Sequence, residues 1–114
     1  MLSRMALEFA REINDHDWSD APYRTDRAGH DRTVDNTQTG QLTLQETDYL
    51  KLNVGWVVAQ VLMHEDPNLD IDEFAIACGL PRNITHRKDG HISGALAAGI
   101  RFNSETGLVA DPGS

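Results

Sequence analysis

Apolar positions are most continuous between Leu42 and His64, LTLQETDYLKLNVGWVVAQVLMH, and that stretch organises the rest of the chain. Tyr49, Leu52, Trp56, Ala59 and Met63 recur at spacings of three and four, and Leu50, Val54, Val57 and Val61 form a second such series. Both series fit an α-helix, in which residues three and four apart share a face. Two stripes cover more of the circumference than a one-sided amphipathic face does. The pattern therefore predicts a central helix over about 43–64, buried on two sides either by other segments of this chain or by a second copy. Thr43 and Glu46 are spaced for a capping box at its start, and Pro67 blocks continuation at its end. Gly55 in the interior predicts close approach of another backbone. A buried strand over Tyr49–Met63 competes, and its length speaks against it.

The other elements follow from weaker periodicities. Leu2, Met5, Phe9 and Ile13, with Ala6 and Ala10, predict an amphipathic helix over 2–14 whose apolar face lies on the central helix. From Asp15 to Gln41 the periodicity disappears, leaving a long polar loop with Trp18, Tyr23 and Val34 as its sizeable apolar anchors. Asp70 reads as the N-cap of a helix with Glu73 completing a capping box, Leu69 stapling onto Phe74, and Gly79 and Pro81 ending it. Residues 83–98 are ambiguous. A hairpin around Lys88-Asp89-Gly90 opposes His86 to Ile92, and Ile92, Leu96, Ala98, Ile100 and Phe102 then alternate, but Ile92, Leu96, Gly99 and Ile100 also fit a helix. Ile100–Phe102 and Leu108–Ala110 flank a turn-rich linker and predict a C-terminal hairpin. The expected fold class is α+β: a small helical body, then a short antiparallel hairpin or meander. Residues 1–110 would form a single globular domain containing the 15–41 loop, with 111–114 a frayed tail.

Composition narrows the function classes. A chain of 114 residues with 39% hydrophobic content suits one domain with a modest core, and no apolar run reaches the roughly 20 residues of a membrane helix. Residues 1–14 lack the pattern of a signal peptide, and the single Cys78 cannot form an internal disulfide. A cytoplasmic location is the default. A net charge of −8 opposes nucleic-acid binding unless cations cluster. Eight arginines against Lys51 and Lys88 suggest a GC-rich bacterial or phage source.

Cations do gather in one place: Arg82, His86, Arg87, Lys88, His91 and Arg101 follow the acidic 65–73 stretch. The segment DEFAIACGLPRNITHRKDG there resembles the first helix and turn of a helix-turn-helix, with Ala75, Gly79 and Leu80 at the corner-forming positions. The resemblance covers about 19 residues, and Pro81 in the turn and Asp89-Gly90 downstream depart from it. It implies a winged-helix-like DNA-binding regulator that would meet DNA through Arg82, Arg87 and Lys88.

Catalytic and metal patterns are sparse. The chain has no G-x-S-x-G, G-x-x-x-x-G-K, H-E-x-x-H or Rossmann glycine set. His64-Glu65-Asp66 is an acid–base cluster in composition, but it lies at a helix end where exposed polar residues belong. Asp15, His16, Asp17, Asp20, His30 and Asp31 could ligate a metal, yet they match neither a calcium-loop nor a zinc spacing. Cys78 has no neighbour in sequence that would activate it. The reading that follows is a non-enzymatic intracellular protein-interaction or regulatory module without a cofactor. Its partner would be a protein met through Trp18, Tyr23, Arg24 and Arg27, because interface energy concentrates in aromatic and arginine side chains. The DNA-binding regulator is the alternative, a small enzyme or metal protein comes third, and a homodimer would form through the central helix.

Overall fold

The computed structural model describes residues 1–25, 27–28 and 42–113. Val34, His30 and Asp31, most of the 15–41 loop, and Ser114 of the tail lie outside the described residues. The elements are α1 (Arg4–Asp15), a 3₁₀ turn (Ala21–Tyr23), α2 (Leu44–Glu65), α3 (Ile71–Ala77), α4 (Arg82–Thr85) and α5 (Ala95–Ala98).

α2 is the expected central helix. The Thr43 hydroxyl accepts from the Glu46 N–H, and the Glu46 carboxylate accepts from the Thr43 N–H at 2.9 Å. These bonds satisfy donors that the first turn leaves unpaired and hold the Glu46 carboxyl below its ordinary value. Leu52, Ala59 and Met63 of the first stripe are buried, whereas Tyr49 is half exposed. The second stripe departs from expectation: Val57 is 69% and Val61 44% exposed, so the helix is not covered on two sides. Gly55 is buried, but the group that a Cβ there would meet is the Leu96 side chain, 3.9 Å away, and not a backbone.

α1 and α3 start at the same end of the body and finish together near the first half of α2. The Leu2 N–H bonds the Glu73 carboxylate at one end, and Asn14 and Lys51 meet Gly79 at the other. On α1 the buried residues are Ala6, Ala10 and Ile13, while Met5 and Phe9 are exposed. The inward face of α1 is thus carried by the two alanines and Ile13, and Met5 and Phe9 fall on its outer side.

α3 begins with Asp70 accepting from the Asp72 and Glu73 N–H groups. Its Glu73 side chain reaches Leu2 instead of closing the expected capping box. At the far end the Gly79 N–H donates to Ile76 and the Leu80 N–H to Ala75, a Schellman ending in which Gly79 takes φ +77. Phe74 and Cys78 are fully buried in the core between these helices.

The expected α+β class is not what forms: among the described residues there is no strand and no sheet. The antiparallel pairs His86–Ile92 and Phe102–Val109 are isolated bridges. At the first, the Ser93 N–H still bonds the Thr85 carbonyl at 2.8 Å, and beyond it the Ser93 hydroxyl donates to the Ile84 carbonyl and accepts from the Ala95 N–H in place of further pairing. Gly94 at φ +76 then turns the chain into α5. The helical alternative for this segment wins because Leu96 and Ile100, four apart, are both buried, whereas Ala98 and Phe102 of the alternating set are exposed.

At the second bridge, the side chain of a buried glutamine from α2 takes the place a strand would fill. Gln60 Oε1 accepts from the Arg101 N–H at 2.8 Å, and its Nε2 donates to the carbonyls of Arg101 and Ala110 at 3.1 and 3.3 Å. A side-chain amide offers one residue's worth of pairing, so the arm is held without a ladder. Among the described residues no helix is long and apolar enough to cross a membrane.

Candidate interaction site

The end of α1 organises the surface that carries Trp18. Helix ends leave carbonyls without intrahelical donors. Here the His16 N–H donates to Glu12 and the Trp18 indole N–H donates to the Ile13 carbonyl at 2.8 Å. The His16 and Trp18 rings lie 4.4 Å apart, and the indole packs partly against the core. Asp17 accepts from both the backbone N–H and the hydroxyl of Ser19, fixing the turn that follows. Pro22 opens the 3₁₀ turn Ala21–Tyr23, and the Leu42 N–H bonds the Ser19 carbonyl at 2.6 Å. Residues 19 and 42, on either side of the polar segment, are thereby pinned together.

Trp18, Arg24 and Arg27 are brought to one hollow of about 480 Å³, with His16, Ala21 and Thr25 completing most of its wall. Tyr23 is 49% exposed and does not line it. The hollow combines an aromatic face with two arginine side chains.

The basic set stands elsewhere. Arg82 opens α4, and Arg87 and Lys88 lie in the turn closed by the Arg87 N–H to His91 at 2.7 Å. All three side chains are exposed. The corner residues of the helix-turn-helix resemblance are in place, with Ala75 and Leu80 buried and Gly79 left-handed. The element in the recognition position, α4, has a single turn of four residues.

Of the other candidate chemistry, Asp66 leaves its cluster to cap the end of α2 and accept from the Asn68 N–H, while the His64 ring lies between Glu65, 3.7 Å from Nδ1, and Asp111, 2.8 Å from Nε2. His64 and Asp111 edge a hollow of about 710 Å³ beneath the C-terminal arm, which no pattern in the sequence had signalled. Among the described residues no three His, Cys, Asp or Glu side chains are grouped to hold a metal.

Cys78 does acquire a cationic neighbour that the linear order hides, because Lys51 reaches the Gly79 carbonyl at 3.4 Å. Burial nevertheless dominates and pushes the thiol up to about 12, with Lys51 only partly opposing it. Burial also lowers the Lys51 ammonium. The Cys78 thiol should therefore resist thiol reagents until the protein unfolds. The unfolded thiol ionises first, so stability from this group is intact below about pH 9 and falls as pH rises toward about 12. Denaturation midpoints across that range, against a Cys78→Ala control that lacks this component, check the expectation.

No protein-family model, no curated protein and no solved structure matches this chain.

Proposed function

We propose that the protein is a non-enzymatic interaction or regulatory module of the cell interior that engages a protein partner at the Trp18–Arg24–Arg27 hollow. The observation that supports this reading is the convergence of an aromatic side chain and two arginines on one concave surface of a strongly acidic chain. The partner segment that fits it carries a carboxylate next to an apolar side chain. Trp18 forms the aromatic wall of the hollow, and Arg27 and the neighbouring Tyr23 are exposed at the surface beside it.

Affinity capture from lysate of the source organism, with and without nuclease, tests the proposal when run beside two variants. The Tyr23→Ala/Arg27→Glu variant should lose the captured protein by about tenfold or more, with unchanged melting and nuclease resistance. The Arg82→Ala/Arg87→Ala/Lys88→Ala variant should capture as the wild type does. The proposal fails if the first variant captures normally. Nuclease-sensitive capture lost in the second variant would replace it with the DNA-binding regulator.

A further inference from the structure

The outer face of α2 carries a feature that the Trp18 hollow does not use. From Leu52 to Met63 there is no charged residue, although this is a helix with one side open. Leu50 and Val54 are half-buried, and Val57 and Val61 are exposed. Their spacing of four, three and four is that of the seam positions of a helix pair, with Thr47 and His64 as the next positions at either end. A helix facing only water at these positions would carry polar residues.

We infer that a second copy of this chain docks here, α2 against α2, antiparallel about a two-fold axis between residues 55 and 56. That register sets Val54 against Val57 of the second copy and Leu50 against its Val61. Each end of the seam stops at Thr47 on one copy and at the His64 backbone on the other, since the His64 ring is held by Asp111. On the flank this register brings the Lys51 ammonium toward Glu65 of the second copy, twice by symmetry. Glu65 is well exposed with its carboxylate 3.7 Å from His64, and half-buried Lys51 lies 3.4 Å from the Gly79 carbonyl, so forming this pair requires Lys51 to exchange that contact for Glu65 of the second copy.

The parallel arrangement is poorer. Its flanking pair would be Glu46 with Lys51, and the Glu46 carboxylate is held in the capping box. It would also stack His64 on His64 and align the helix dipoles, which the antiparallel pair opposes. One helix seam is smaller than the roughly 800 Å² per partner of a standard interface, which puts it among weak, reversible associations.

Sedimentation equilibrium of the full chain from low to high micromolar concentration tests the inference. The average mass should climb towards twice the chain mass. Val57→Lys, at an open position, should weaken association at least tenfold while circular dichroism and melting of the dilute protein stay unchanged. Glu65→Lys should weaken it severalfold. A wild-type chain that remains monomeric throughout, or a dimer indifferent to Val57→Lys, overturns the interface. Indifference to Glu65→Lys overturns the antiparallel register.

Discussion

Trp18→Ala should lower the free energy of unfolding by about 2–4 kcal/mol, less than the roughly 3–5 kcal/mol of a fully buried aromatic because the indole is half-buried. The indole was selected in the sequence for a partner, yet it packs against the core and caps the Ile13 carbonyl at 2.8 Å. Truncation removes the apolar contact, the hydrogen bond and the ring that His16 lies against. Trp18→Phe should restore most of the packing but not the bond, leaving a loss of about 1 kcal/mol. Urea denaturation of the three proteins measures both values. A Trp18→Ala loss below about 0.5 kcal/mol would mark the indole as a surface group and return it to a purely binding role. For this reason the interaction test uses Tyr23 and Arg27, whose replacement leaves the α1 cap intact.

Gln60→Met should cost about 2–3 kcal/mol and loosen the C-terminal arm. Methionine keeps the length and approximate volume of glutamine, so packing changes little. The amide, however, makes three hydrogen bonds to the backbone of residues 101 and 110, each worth about 1 kcal/mol net. Without them, the Phe102–Val109 bridge loses its backbone attachment to α2 and keeps only the His64–Asp111 contact and the packing of Val109. Amide hydrogen exchange should show residues 100–110 exchanging faster in the variant while α1 and α3 keep their protection. Uniform loss of protection would instead mean that Gln60 stabilises the whole fold and not this arm.

The helical elements were legible where the signal is local. Thr43 with Glu46, Asp70 before α3, and Gly79 after it act within one turn of the chain, so their residue types and spacing suffice. The C-terminal region was misread because alternation over four or five residues cannot separate an extended segment from a single helical turn. What separates them is Leu96 and Ile100 finding a common apolar surface, together with Ser93 bonding Ile84 across nine residues. Gln60, the lone polar residue from Val54 to Met63, was the available signal for the arm's attachment, but its partners lie more than forty residues away.

The candidate site was legible in kind but not in arrangement. Trp18, Arg24 and Arg27 do meet at one hollow, and Tyr23 stands outside it. Where the indole points depends on the end of α1 needing a donor, which is a property of the folded helix and not of residue 18.

Local chemistry in the chain thus specifies where α2 and α3 start and stop, because capping bonds and proline restrictions span only a few residues. Tertiary packing alone decides which stripe of α2 is covered, which face of α1 turns inward, and whether residues 92–110 become strand or turn. Each of those outcomes depends on contacts between residues far apart in sequence, and periodicity along the chain carries no record of which distant surface will be adjacent.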